Sequence, residues 1–279
     1  MKILIIGGGT MGLTYAQSFL RSHITDKSSM MILERSPEKA ATLATKGIGT
    51  VCNHPGDCLA GADLIILAVK PQDCPELFKS IRSYVKPDQV FLSIMAGVKI
   101  TTICESLNVT KVIRAMPNLP AQIGMGMTAF TSSDEVTRLE LVMVQNLINT
   151  TGKTIYVEKE TAIDAATAIS GSGPAYVFHF MNAMIQAAKG MGFSDSEAEL
   201  LVSQTFKGAV DLYNKSDFNC TEWIARVASK GGTTEAAIAS FVDSDVEKDI
   251  IAGAEAAFAR AVDLGKVTSK VDGTQIERI

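Results

Sequence analysis

Short β-branched apolar runs alternate with amphipathic stretches along the first half of the chain. Residues 2–6, 30–34, 64–69, 90–94 and 112–115 read as strands. Between them, segments 11–21, 37–45, 72–84 and 100–107 repeat apolar positions every three or four residues, as helices do. Strands separated by helices imply right-handed crossovers and a parallel sheet. The run Leu64-Ile65-Ile66-Leu67-Ala68-Val69 is apolar on both faces, as a central parallel strand should be. Two further strand-like runs, 127–130 and 153–157, flank a helical stretch at 133–150. Beyond about residue 158 the pattern changes to alanine-rich helices at 161–189, 195–213, 221–228, 234–242 and 246–264, with Gly190, Gly192 and Gly265 placed as C-caps. The tail 266–279 is polar and aperiodic and is expected to be loosely held. These patterns predict two domains, 1–158 with a doubly wound, mostly parallel α/β sheet, and 159–279 entirely helical.

Composition agrees with a packed two-domain protein: 279 residues, 47% hydrophobic and 20% charged. A net charge of −4 without any basic block argues against nucleic acid or anionic membrane as partners. The longest apolar run falls far short of the ~20 residues of a membrane span, and the amino terminus lacks a signal-peptide pattern. A cytoplasmic location is therefore expected. The five cysteines are odd in number and form no C-x-x-C pair, which opposes a disulfide framework. Cys52, His54 and Cys58 match no usual zinc spacing, so no metal is expected. The scattered His23, His54 and His179 are assigned no catalytic role.

The first chemical signal is Gly7-Gly8-Gly9-Thr10-Met11-Gly12, a G-x-G-x-x-G pattern directly after a predicted strand and at the head of a predicted helix. In a Rossmann-type unit the first glycine makes the tight turn, the second lets backbone approach a pyrophosphate, and the third lets helix and strand pack closely. Dinucleotide binding follows. Glu34, Arg35 and Ser36 end the second predicted strand, roughly twenty residues past Gly12, where the adenine ribose is read. An acid there accepts from the ribose hydroxyls of NAD(H), whereas Arg35 and Ser36 would welcome the 2′-phosphate of NADP(H). The reading leans to NADP(H), with NAD(H) as the competitor.

Four more stretches bear on the reaction. They are Ala68-Val69-Lys70-Pro71, Arg114-Ala115-Met116-Pro117-Asn118-Leu119-Pro120, Ser170-Gly171-Ser172-Gly173-Pro174-Ala175-Tyr176, and Ser229-Lys230-Gly231-Gly232-Thr233-Thr234. Lys70 would lie at the carboxyl end of a parallel strand, where such sheets bind ligands. Pro174 and its neighbouring glycines interrupt a helical pattern. The glycine–threonine loop would open a helix with free N–H groups suited to a carboxylate, or would simply be capped by Thr233.

In this order and spacing the set resembles the pyrroline-5-carboxylate reductases, which reduce a cyclic C=N bond to give L-proline. The resemblance runs from the first glycines to about residue 265. Leu119 stands where the family usually has threonine, Lys230 where it has proline, and Glu34 where it has a small or amide residue. The family's cofactor-contacting asparagine has no clean match, since Asn53 falls about two positions early. The resemblance implies that Met116 and Asn118 border the nicotinamide. It assigns Ser229, Gly231, Gly232, Thr233 and Thr234 to the substrate, with the Thr234 hydroxyl beside the ring nitrogen. It also implies a dimer interface along the helix that contains Val177, Phe178, Phe180, Met181, Met184 and Ile185, hence a homodimer or an assembly of dimers.

Other readings compete with it. A reductase of another cyclic imino acid would carry the same motifs. A β-hydroxyacid dehydrogenase needs a lysine four residues after a comparable glycine motif, where this chain has Val177. A non-catalytic dinucleotide-binding protein would have no reason to keep the 229–234 loop.

Overall fold

The computed structural model describes residues 1–268. Its first half alternates strand and helix in the order β1 (Ile3–Ile6), α1 (Thr10–Arg21), β2 (Met30–Leu33), α2 (Pro37–Ala44), β3 (Thr50–Cys52), β4 (Leu64–Leu67), α3 (Cys74–Ile81), β5 (Val90–Ser93), α4 (Ile100–Leu107) and β6 (Val112–Met116). Then come β7 (Gly126–Ser132), α5 (Arg138–Asn149) and β8 (Gly152–Tyr156). The eight strands form one sheet in the order β3-β2-β1-β4-β5-β6-β7-β8, parallel throughout except for the antiparallel β6–β7 pair. Chain direction across the sheet reverses at β1 and β4, the place where doubly wound folds open a crevice.

The alternation of side chains along each strand feeds two cores. Leu4, Ile6, Ile65, Leu67 and Phe91 pack with Phe78 and Ile81 of α3 and Ile103 and Leu107 of α4. Ile3, Ile5, Leu64, Ile66 and Leu92 pack with Tyr15 and Phe19 of α1 and Leu147 and Ile148 of α5. Helices cover both faces, so β1 and β4 are buried on both sides. That is why their sequences lack polar alternation.

Several boundaries differ from the sequence pattern. The helix expected at 133–150 starts at Arg138, because Thr137 and Glu140 form a capping box that defines its first turn. Strand β3 has only three residues and gave no periodic signal. The stretch expected to run from 161 to 189 divides into α6 (Thr161–Ala166), a single π-type turn at Thr167–Gly171 closed by Ser172 N–H to Thr167 O at 2.8 Å, and α7 (Gly173–Gly190). Pro174 cannot donate to the carbonyl four residues back, so the carbonyl of Ser170 is left for another partner.

Two compact units emerge: Met1–Ser172 with the chain from Ala256, and Gly173–Glu255. The second holds α7, α8 (Asp195–Asn214), α9 (Cys220–Val227), α10 (Thr233–Asp243) and the start of α11 (Val246–Thr268). No residue of α7 is buried within the single chain. Val177, Phe178 and Met184 are 44%, 60% and 44% exposed, an apolar face that one chain leaves uncovered. Helix α11 does not stop before Gly265 as expected. It continues to Thr268, and within it Gly265 lies so close to Gly97 that an added Cβ would sit 2.5 Å from the Gly97 carbonyl oxygen. The expected loose tail begins inside this helix at 266–268, and the rest of it lies outside the described residues. Among the described residues no helix is long and apolar enough to cross a membrane.

Candidate active site

The glycine turn between β1 and α1 is shaped by close backbone contacts. Gly7 adopts φ +106°, and a Cβ there would lie 2.8 Å from the Ala68 carbonyl oxygen. A Cβ on Gly12 would collide with the Gly7 carbonyl oxygen, so the helix can cross its strand this closely only with glycine. Gly9 is the N-cap of α1, no side chain caps it, and the space where its Cβ would point is open. The first amides of α1 and the positive end of its dipole therefore face an open cradle, the arrangement that receives a pyrophosphate. Thr10 is exposed and Met11 half-buried on the helix that carries this cradle.

That cradle is one wall of a cavity of about 430 Å³ at the carboxyl ends of β1, β2 and β4. Gly7, Gly8 and Gly9 line it together with Glu34 and Arg35 from the end of β2, and with Ala68, Val69 and Lys70 from the end of β4. Three sequence-distant motifs thus converge on one space. Pro71 starts a short 3₁₀ turn immediately after Lys70. Sequence reasoning missed Lys39, Asp73 and Glu76, which also line the cavity. Asn53, discounted by its count in the sequence, lines it too, since it directly follows the short strand β3.

The three residues after β2 have different local bonds. Glu34 points into the cavity, where its carboxylate accepts from Gly8 N–H at 3.2 Å and from Ser36 N–H at 3.1 Å. Arg35 reaches Glu76 in a 2.7 Å ion pair, with both side chains 75% exposed. Ser36 is the N-cap of α2, its hydroxyl accepting from Lys39 N–H at 3.4 Å.

The stretch after β6 is clasped to the π-type turn. Asn118 Oδ1 accepts from Met127 N–H at 2.8 Å, while its Nδ2 donates to the Ser170 carbonyl at 3.1 Å, the one that Pro174 leaves free. Met116 is buried beside Gly171, where an added Cβ would touch its Cγ at 3.5 Å. Below them Arg114, 1% exposed, pairs with Glu160 at 2.9 Å and with Asp164 at 2.5 Å. Glu160 also accepts from Ile100 N–H at 2.9 Å, which ties α4 to the same network. Neither acid stood out in the sequence, because only the fold brings them to Arg114.

In the helical unit, the 229–234 loop ends at α10, but Thr233 does not cap it. Gly232 is the N-cap, with extended backbone and no side-chain bond, so Thr233 and Thr234 are the first two helical residues. The turn is closed by Gly232 N–H to Ser229 O at 2.9 Å, which makes Gly232 the last non-helical residue. Glu235 folds back to accept from Gly231 N–H at 2.6 Å, so a carboxylate already engages one amide of this loop. Elsewhere all five cysteines are free thiols, and burial pushes Cys58 and Cys74 up to about 12. Among the described residues no group of three or more His, Cys, Asp or Glu gathers to hold a metal.

A Bacillus subtilis (strain 168) protein, pyrroline-5-carboxylate reductase 2, is 35% identical over 279 residues, covering 99% of both chains. The chain belongs to the pyrroline-5-carboxylate reductase family. A Pseudomonas aeruginosa pyrroline-5-carboxylate reductase is 31% identical over 266 residues, covering 95% of this chain and 97% of the relative. The family model for pyrroline-5-carboxylate reductase dimerisation matches residues 160–264, and a model for coenzyme F420-dependent NADP oxidoreductases matches residues 2–97. The crystal structure of a Plasmodium falciparum pyrroline carboxylate reductase with NADP bound superposes with a TM-score of 0.86. It is 26% identical and covers 95% of this chain and 98% of that one. The match to the dimerisation family over residues 160–264, which include α7, supports self-association of the chain.

Proposed function

We propose that this protein is an NAD(P)H-dependent reductase that converts 1-pyrroline-5-carboxylate to L-proline. The carrying observation is the cavity that joins the glycine cradle to Glu34, Arg35 and Lys70, in a chain related end to end to curated pyrroline-5-carboxylate reductases. The uncapped, open N-terminus of α1 fits a dinucleotide. Gly7, Gly8 and Gly9 would hold the pyrophosphate, Glu34, Arg35 and Ser36 the adenine ribose and any 2′-phosphate, and Ala68, Val69, Lys70 and Pro71 the central part. Met116 and Asn118 would border the nicotinamide. When bound, the nicotinamide supplies the hydride.

The substrate side rests on the 229–234 loop. Ser229 and the amides around Gly231, Gly232 and Thr233 at the head of α10 receive the substrate carboxylate, displacing Glu235 from Gly231 N–H. The Thr234 hydroxyl stands beside the ring nitrogen. A protonated ring imine is already an electrophile: it takes one hydride on carbon and becomes the secondary amine. The protein's main tasks are therefore positioning and exclusion of water rather than strong acid–base catalysis. Residues 1–158 serve the cofactor in this scheme, and 159–279 serve the substrate and self-association as a homodimer or an assembly of dimers, with no nucleic acid involved. Five free cysteines support a reducing, cytoplasmic location. The test is oxidation of NADPH or NADH by the purified protein on addition of pyrroline-5-carboxylate. Turnover to proline is expected; measurable cofactor binding without turnover would overturn the proposal.

A further inference from the structure

Strands β2 and β4 lie on either side of β1. Arg35 follows β2, and Glu76 sits in the first turn of α3, the helix after β4. Both line the cavity, and their 2.7 Å ion pair links the end of β2 to the start of α3 at its exposed edge. Glu34 meanwhile is held inside the cavity by two backbone N–H groups and does not pair with Arg35. The ribose end thus contains one guanidinium whose charge is already committed to a carboxylate from the opposite wall. Lys39, also in the lining, forms no ion pair among the described residues.

We infer that Glu76 is a specificity-determining residue of this cavity: by holding Arg35 it withdraws from a ligand's 2′-phosphate the cation best shaped to grip it. The inference rests on the reading that the cavity takes NAD(P)H. A guanidinium binds phosphate through paired, charge-assisted hydrogen bonds, which a lysine such as Lys39 cannot match in geometry. A 2′-phosphorylated ligand must therefore open the Arg35–Glu76 pair or settle for Lys39 alone. A ligand without that phosphate leaves the pair intact. The pair is exposed, so opening it weakens binding by about fivefold at most. Discrimination is graded rather than absolute, and a second residue, far from β2 in sequence, sets it.

The experiment compares two probes that differ only in the 2′-phosphate, adenosine 5′-monophosphate and adenosine 2′,5′-bisphosphate, titrated calorimetrically into the full-length protein. Glu76→Gln should tighten the bisphosphate by about three- to fivefold and leave the monophosphate within about twofold. The gain should shrink as salt is raised and vanish in Arg35→Ala/Glu76→Gln. An equal change for both probes, no change for either, or a gain that survives removal of Arg35 overturns the inference. Binding of neither probe by the wild-type protein overturns the cofactor reading and this inference with it. A protein that shows the expected probe pattern yet fails to reduce the imine upholds the inference while the reaction assignment falls.

Discussion

Replacing Asn118 by alanine tests whether the loop after β6 is held in place by its side chain. Two bonds disappear together, from Met127 N–H at 2.8 Å and to the Ser170 carbonyl at 3.1 Å. A net ~0.5–1.5 kcal/mol for each gives a total of about 1–3 kcal/mol. The upper end applies where the abandoned carbonyl finds no water, because Pro174 has already removed its helical partner. Against a typical stability of about 5–15 kcal/mol the variant stays folded, so stability and turnover are both measurable. The assay is urea unfolding at one fixed protein concentration, since self-association couples apparent stability to concentration. Asn118→Asp is the shape-matched control: it still accepts from Met127 but turns an oxygen instead of an N–H towards the Ser170 carbonyl. It should show at least half the loss seen with alanine. Turnover should fall in both variants, because Met116 and the turn at Gly171 lose their tie. A wild-type urea midpoint for Asn118→Ala, or full stability of Asn118→Asp, would refute the clasp.

Thr234→Ala should lower kcat/KM for the imino acid by roughly ten- to a hundredfold, the worth of one hydrogen bond to a charged group, while cofactor affinity measured by titration is unchanged. Asp164→Ala leaves Arg114 buried with one partner fewer, so chemical denaturation should report a loss of about 3–5 kcal/mol; a loss below about 1 kcal/mol would show that Glu160 alone suffices. Burial pushes the Glu140 carboxyl up, but its bonds from Lys111 and Thr137 outweigh this and hold it below the usual range. The stability it contributes is therefore complete above the ordinary carboxylate pKa and lost as pH falls through the lowered value. Unfolding free energies of wild type and Glu140→Gln should accordingly converge on acidification; a constant gap between them would contradict that assignment.

Local signals were legible wherever one stretch of chain carried the whole cause. Gly7, Gly9 and Gly12 could be read because turn, cradle and crossing lie within six successive residues. The break near Ser170 was visible from Pro174 and its neighbouring glycines. The start of α5 was equally open to reading, since Thr137 and Glu140 spell a capping box, but the apolar periodicity on either side obscured it. Strand β3 was missed because three residues are too few to show a period. Placing the α10 cap at Thr233 failed for a different reason: threonine is a good cap, but the turn closes one residue earlier, at Gly232.

The sequence by itself determined the doubly wound sheet, the helical second half, the dinucleotide cradle and the family, because each is written in periodicity, glycine placement or an ordered set of short motifs. Only the tertiary structure decided which charges meet. Arg114 with Asp164 is a contact across fifty positions, and Arg35 with Glu76 across forty-one. A chain read in order contains no distances between such residues. Their pairing depends on the β3-β2-β1-β4 order of the sheet and on the bend that returns α6 to β6. Whether Glu34 turned away from the ribose end or into it was likewise undecided along the chain. The answer came from the Gly8 and Ser36 amides, which the glycine turn and the start of α2 bring within reach of one carboxylate.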